Sequence, residues 1–197
     1  MDGSPPLPPR LPLPRPIPAV PSALLATLIF VGTEVMVFAG MISAFTITRA
    51  NQPPGMWPPP AQPRLPVEST LLNTVALLAS GLLLFLSYRA WKAGRPSARS
   101  LYLGAWLMGA VFVGLQGREW SVLLGDGLTL RSSMLGAFFY LIVGCHALHA
   151  IGALGVLAWG AVRLWRGTMP QGLFFGSQAF WYFVVLMWPI VYARVYF

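Results

Sequence analysis

Two histidines and one glutamate are embedded in apolar segments of this 197-residue chain. His146 and His149 are its only histidines, and both lie in the uncharged stretch Ser132–Gly160. Glu34 lies near the middle of a second apolar stretch, Ser22–Ile47. Polar groups deep in a membrane are costly and usually face protein or a lined cavity. The three side chains are therefore the candidates for an intramembrane polar cluster.

The spacing of these residues limits their chemistry. Positions i and i+3 put both imidazoles on one face of a helix, one turn apart. With Glu34 they offer three metal ligands, but a di-iron bundle needs more carboxylates. Two histidines on one helix cannot ligate opposite faces of one haem. A haem with one histidine and one methionine ligand is an alternative that the sequence leaves open. The favoured interpretation is an interhelical hydrogen-bonded cluster, with lipid contact or proton access left open as an added role for Glu34.

The composition places these residues in membrane helices. Hydrophobic residues make up 56% of the chain and charged residues 9%, whereas soluble domains carry about 25% charged residues. The stretch Ser132–Gly160 is more than long enough to span a bilayer at about 1.5 Å per residue, and the chain has four further apolar segments. The sequence therefore predicts an all-α integral membrane bundle of five transmembrane helices, with spans at about 22–47, 70–88, 101–116, 132–160 and 173–196.

A proline-rich arm, residues 1–21, precedes the predicted bundle of residues 22–197. The arm holds nine of the 19 prolines, which is typical of polyproline-like or disordered chain. A solvated tail is favoured over a docking arm for a partner. The arm also lacks the apolar core of a cleavable signal. The single cysteine, Cys145, lies inside a span, so no disulfide within the chain is expected.

The net charge of +8 is explained by membrane topology and does not require a nucleic-acid partner. Eight of the 13 Lys and Arg residues fall in the arm and in the loops on the same side of the predicted bundle, and five fall on the other side. Cytoplasmic loops carry an excess of Lys and Arg. The sequence thus predicts a cytoplasmic amino terminus and an external carboxyl terminus.

Small residues recur at helical spacing in two spans and predict close helix approach. In the first span these are Gly32, Ala39 and Ser43. The third span contains two such pairs, Ala105 with Gly109 and Ala110 with Gly114.

Aromatic and charged residues near the span ends are candidates for contact with lipid or a partner helix. A chlorophyll or quinone stacked along the last span is the less favoured alternative. The chain has no glycine-rich phosphate loop, nucleophile elbow or cysteine pair, so no complete catalytic site is predicted. The contact candidates are Arg118, Glu119, Trp120, Trp181, Tyr182 and Trp188.

Three motifs resemble those of haem–copper oxidase subunit III. FVGTEVMVFAG (Phe30–Gly40) resembles the family's Ser/Thr-Glu-Val-x-x-Phe-x-Gly motif. GCHALHAIGAL (Gly144–Leu154) resembles its Gly-x-His-x-Leu-His helix. QAFWYFVVLMWPIVY resembles its Trp-His-Phe-Val-Asp-Val-Val-Trp signature, with Tyr182 and Val184 where the family usually has His and Asp. The resemblance extends over Ser22–Phe197.

The resemblance implies the five-helix form of this family and a non-redox accessory subunit of a proton-pumping terminal oxidase of the cytochrome c oxidase type. It implies subunits I and II as partners, haem and copper in those partners, bound phospholipid and the bacterial cytoplasmic membrane. It further implies a position beside subunit I and support of proton uptake and stability. The alternatives are an accessory subunit of a quinol oxidase or nitric oxide reductase and, less favoured, a free-standing membrane carrier or cofactor protein.

Overall fold

The computed structural model describes residues 22–59 and 62–197, and every regular element in these two ranges is an α-helix. All five helices are long and apolar enough to cross a membrane, which confirms the predicted all-α bundle of five spans. The predicted arm, residues 1–21, lies outside the described residues. The helices are α1 Ser22–Ala50, α2 Val67–Lys92, α3 Ser97–Gly125, α4 Met134–Trp165 and α5 Gln171–Val195.

The third helix continues well beyond its predicted end. The prediction ended this span near Gln116 and placed the following polar run in a loop, but α3 extends to Gly125. The charge that suggested a loop, Glu119, receives hydrogen bonds from Thr70 and Asn73 on α2. Because these donors compensate the carboxylate, the charge does not end the helix. The prediction of a loop beginning at residue 117 was therefore wrong.

The other helix ends differ from the prediction by a few residues, mostly because the helices are longer. The last turn of α2 includes Arg89 and Lys92, which the prediction left in a loop. Basic side chains there interact favourably with the carboxyl end of the helix dipole. Helix α4 begins after Ser133, whose hydroxyl accepts a hydrogen bond from the backbone N–H of Gly136 at 3.0 Å. This side-chain cap sets the start of α4.

Helix α5 lies at the centre of the bundle. It packs against α1, α2 and α4. In its most apolar stretch of 18 residues, 61% of the residues are buried, compared with 6% in the corresponding stretch of α1. Trp181 and Trp188 of α5 are fully buried, and their indole N–H groups donate to Ser80 and Thr74 of α2 at 2.9 and 2.8 Å. These bonds satisfy the polar end of each ring. Both tryptophans are therefore core side chains that pack on neighbouring helices, and they do not contact lipid.

A glycine on α3 makes room for one of these tryptophans. Gly109 is buried, and a methyl group added there would lie 2.5 Å from Cζ2 of Trp181. Ala105, one turn earlier, is fully buried, and its carbonyl accepts a hydrogen bond from Ser80 at 2.7 Å. At Gly114, by contrast, an added methyl group would meet nothing within 4 Å. Of the two small-residue pairs on α3, the first is the one used for packing within the described part of the chain.

Helix α1 lies at the edge of the bundle. Among the described helices it contacts α4 and α5, through a face that includes the buried side chains of Phe38 and Phe45. Gly32 and Gly40 are exposed, and a methyl group at either would meet nothing within 4 Å. The close approach predicted for the small residues of α1 is therefore not made within the described ranges. This face remains available to lipid or to another protein.

Candidate functional site

The carboxyl group of Glu34 on α1 meets the imidazole of His149 on α4 inside the bundle. Glu34 Oε2 lies 3.1 Å from His149 Nε2, and the two side chains are 20% and 13% exposed. Both residues lie near the middle of their helices, so the contact is far from either membrane surface. It is a direct polar link between α1 and α4.

The second ring nitrogen of His149 determines where its proton lies. Nδ1 is 2.8 Å from the backbone oxygen of Cys145, one turn earlier on α4. A carbonyl oxygen can only accept a hydrogen bond, so Nδ1 carries a proton and donates it. Nε2 of the neutral ring is then an acceptor, which requires a proton on Glu34. The contact therefore holds one proton, on Glu34 or on Nε2, and the pair is neutral overall in both states.

Aromatic rings surround the imidazole of His149. They belong to α1 and α5 and keep water away from the ring, which strengthens its electrostatic contact with Glu34. Removing one partner from a contact in such surroundings costs more than breaking an exposed ion pair does. The ring centroids lie between 5.5 and 6.4 Å from that of the imidazole: Phe30, Phe38, Phe180 and Phe183.

His146 faces a different side of α4. It is 1% exposed, and its ring centroid lies 5.1 Å from Trp188 and 6.2 Å from Phe38. Neither of its ring nitrogens has a hydrogen-bond partner among the described residues. Side chains three positions apart on a helix point about 60° apart, so His149 reaches α1 while His146 turns toward α3 and α5. The structure thus brings Glu34 and His149 together and leaves His146 outside their contact.

A second polar cluster, centred on Glu119, ties α3 to α2. Thr70 Oγ1 and Gln116 Nε2 donate to Glu119 Oε2 at 2.8 and 3.1 Å. Asn73 Nδ2 donates to Oε1 at 2.9 Å. Gln116 Nε2 also donates to the hydroxyl of Tyr196, at 3.2 Å. Burial raises the pKa of the Tyr196 hydroxyl above its ordinary value, so this group stays protonated and neutral.

The sequence placed Glu119 among the candidates for contact with lipid or a partner helix and did not show that Thr70, Asn73 and Gln116 donate to it. The available signal was the spacing of polar residues on two successive apolar helices. Thr70 and Asn73 are three residues apart on α2, and Gln116 and Glu119 are three apart on α3. Residues at this spacing share a helix face. The pattern alone does not show that these two helix faces meet each other.

The remaining predicted residues occupy three different settings. Arg118 is exposed, and Trp120 is half-buried. Tyr182, at the position where the related motif has His, is half-buried and accepts a hydrogen bond from Gln178 Nε2 at 2.6 Å. Val184, where that motif has Asp, is fully buried. The polar link at this part of α5 is therefore a bond within the helix, and an apolar side chain fills the second position.

The histidines do not fit a haem or metal centre. Within residues 22–59 and 62–197 no group of three or more His, Cys, Asp or Glu side chains is placed to hold a metal ion. Both ring nitrogens of His149 are engaged by Glu34 and Cys145, so neither is free to ligate iron. His146 lines a cavity of about 220 Å³, which is too small for a haem. The site can hold a proton in the membrane, but it lacks the groups for a complete reaction.

The part of the chain that matches known proteins includes all five helices and both polar clusters. The family model for cytochrome c oxidase subunit III matches residues 19–197. A probable cytochrome c oxidase subunit 3 from Nocardia farcinica (strain IFM 10152) is 32% identical over 182 residues, 88% of this chain and 86% of the relative. The probable cytochrome c oxidase subunit 3 of Mycobacterium leprae (strain TN) has the same identity and coverage. Cytochrome c oxidase subunit 3 of Pyricularia grisea is 32% identical over 186 residues, 88% of this chain and 66% of the relative.

Proposed function

The chain belongs to the cytochrome c oxidase subunit III family, and on this premise we propose that it packs beside subunit I of its complex. It is an accessory subunit of a haem–copper oxidase, and this subunit is not the catalytic part of the complex. We propose that it also holds phospholipid and supports stability and proton uptake. Haem and copper are then carried by subunits I and II, in the bacterial cytoplasmic membrane. The observation that carries this proposal is the family match across the whole bundle.

The exposed face of α1 is the proposed contact with subunit I. Ile29, Met36 and Ile47 form one stripe along this helix and are 62%, 74% and 60% exposed. Gly32 and Gly40 lie near the stripe, and each has open space around it. Small residues let the backbone of a neighbouring membrane helix approach closely. An apolar face with such gaps suits a helix of another subunit.

The contact between Glu34 and His149 supports a structural role at this interface. Because the pair is neutral overall with one proton, it lies in an apolar membrane at a lower cost than an isolated charge. It holds α1 against α4, and α1 carries the proposed contact with subunit I. The exposed part of Glu34 is open to a phospholipid or to the partner. In this proposal the pair helps the complex take up protons by keeping it assembled.

Affinity purification of the tagged chain from its native complex tests the proposal. We expect the chain to bring down a haem- and copper-containing partner whose optical spectrum is that of a haem–copper oxidase. Gly40→Leu places a bulky side chain on the proposed contact face. Overpacking of about 1–3 kcal/mol should lower the haem recovered per chain roughly tenfold.

Gly155→Leu is the matched control on α4. Gly155 is also exposed, and an added methyl group there would meet nothing within 4 Å. This variant should recover haem as the unmodified chain does. Equal losses from both variants, or none from either, would mean that α1 is not the contact. The spectrum of a nitric oxide reductase would favour that complex over an oxidase.

A further inference from the structure

Three residues that line a cavity between α3 and α4 carry buried polar atoms that have no partner among the described residues. Its volume is about 220 Å³, and its lining includes Gln116 and Trp120 of α3 and His146 of α4. Gln116 Oε1, Trp120 Nε1 and both ring nitrogens of His146 lack a hydrogen-bond partner among the described residues. Gln116 and His146 are only 5% and 1% exposed. Buried polar groups are nearly always hydrogen-bonded, so four such atoms on residues around one cavity point to a partner that the described residues do not supply.

The rest of the wall is apolar, and its rim reaches the surface of the bundle. Phe112 and Ala150 line the inner part and are buried, whereas Ile151 at the rim is 55% exposed. Gly117, also at the rim, is exposed. The volume exceeds the roughly 150 Å³ of an apolar cavity that accepts benzene. A ring or a short alkyl chain can therefore enter from the membrane.

The unpartnered atoms specify the polar group of that ligand. Gln116 Oε1 accepts only, and Trp120 Nε1–H donates only. A neutral His146 adds one donor and one acceptor. A hydroxyl group donates one hydrogen bond and accepts others, so it can serve both kinds of partner. We propose that this cavity binds a neutral, mostly apolar molecule that carries a hydroxyl group, such as an alcohol or a phenol.

Other occupants match the cavity less well. A hydrocarbon chain would leave all four polar atoms without partners, at a cost for each. A carboxylate or phosphate would need a cation, and the residues that line the cavity include no Lys or Arg. Water can pair with the polar atoms, but it has no apolar part to match the rest of the wall, which is mostly apolar. The cavity is formed by α3, α4 and α5 and does not depend on the contact proposed for α1.

Photolabelling of the intact oxidase complex in lipid nanodiscs with azioctanol, a photoreactive alcohol, tests the proposal. We expect adducts on the segments of α3 and α4 that line the cavity, located by peptide mass spectrometry. Excess octanol should suppress these adducts, and octane at the same membrane concentration should not. Trp120→Phe removes the indole N–H and should lower labelling about tenfold, which is the effect of losing one buried hydrogen bond.

Two glycine variants separate this cavity from general labelling by the membrane. Gly117→Leu extends a side chain into the rim, where an added methyl group would meet nothing within 4 Å, and should abolish labelling. Gly114→Leu lies one turn away with the same open space and outside the lining, and should leave labelling unchanged.

Equal competition by octane would indicate an acyl-chain groove and overturn the proposal. Absence of labelling, as expected for a cavity that holds water, would also overturn it. If Gly117→Leu does not assemble, the proposal is still tested by the competition between octanol and octane and by the labelling of Trp120→Phe.

Discussion

At the scale of single residues, the two half-buried carboxyl groups within the helices, Glu34 and Glu119, differ in how many hydrogen-bond partners each can lose. Glu119 accepts from three side chains, so the loss of one donor leaves two. Glu34 has one strong polar partner, His149, and that ring has no other partner for Nε2 among the described residues. Stranding a buried polar group costs about 1–3 kcal/mol. The contact of Glu34 with His149 is therefore the more sensitive of the two sites.

Two substitutions of Glu34 should have different effects. Glu34→Gln keeps the shape, and its amide N–H can donate to His149 Nε2. We expect this variant to assemble with normal oxidase spectra. Glu34→Leu leaves Nε2 without a donor, so it should destabilise the subunit by about 1–3 kcal/mol. Thermal unfolding and the yield of the purified complex measure this difference.

Glu68→Leu is the control for the loss of a carboxylate, because Glu68 is exposed at the start of α2. It should change stability by less than about 0.5 kcal/mol. If Glu34→Gln abolished turnover while haem content stayed intact, a purely structural role would be ruled out. Glu34 would then belong to the proton path of the complex.

At the scale of helices, Trp181 of α5 joins α2 and α3 through side chains of very different size. Trp181 donates to Ser80 of α2 and lies against Gly109 of α3. The hydrogen bond fixes the ring, so the ring cannot move aside easily when α3 gains a side chain. Membrane helices gain stability from such close packing, since lipid is as apolar as the protein. The fit of Trp181 to Gly109 therefore helps to set the position of α3.

Gly109→Ala should destabilise the bundle. The new methyl group would lie 2.5 Å from Trp181 Cζ2 and 2.6 Å from Cη2, which is too close for unshifted side chains. Overpacking of this kind costs about 1–3 kcal/mol. The midpoint of thermal unfolding of the purified complex should fall. Gly114→Ala on the same helix has open space and should be neutral or slightly stabilising, because alanine favours helix over glycine. Equal unfolding midpoints for the two variants would show that the Trp181 ring moves aside without a loss of stability.

At the scale of the whole molecule, the helices contribute unequally to the buried interior. In the most apolar stretches of α5 and α1, 61% and 6% of the residues are buried. Helix α1 therefore presents most of its surface outward. Exposed apolar side chains such as Met36, Leu72 and Leu148 are normal in a bundle that faces lipid. The basic residues, eight on one side and five on the other, set the expected orientation of the bundle.

Cysteine labelling tests this orientation in a Cys145→Ser background, because Cys145 is the single native cysteine. A cysteine at Thr129, exposed between α3 and α4, should react with an impermeant reagent added outside the cell. A cysteine at Ser97, exposed at the start of α3, should react only after the membrane is opened. The predicted external loop began at residue 117, but residues 117–125 are helical, so the probe belongs nearer Thr129. The opposite pattern would reverse the predicted topology.

The sequence by itself determined the class of the protein, its five spans and the three polar residues that could meet in the membrane. These features follow from local properties. A long apolar run without charge spans the bilayer in helical form because every backbone polar group must be satisfied internally. A carboxyl group inside such a run needs a partner or a proton, which made Glu34 a candidate before any geometry was available. The family motifs around Glu34 and His149 are likewise readable along the chain.

Only the tertiary structure decided which side of each helix meets which neighbour. It showed that His149 and not His146 meets Glu34, and that Trp181 and Trp188 lie in the core. It also showed that α3 continues to Gly125, because hydrogen bonds from α2 compensate the carboxylate of Glu119. A membrane helix that is apolar all round has little periodic pattern to reveal its buried face. Its rotation is set by contacts between residues far apart in sequence. Such contacts depend on the fit of particular side chains across helices, and that fit exists only once the helices are packed.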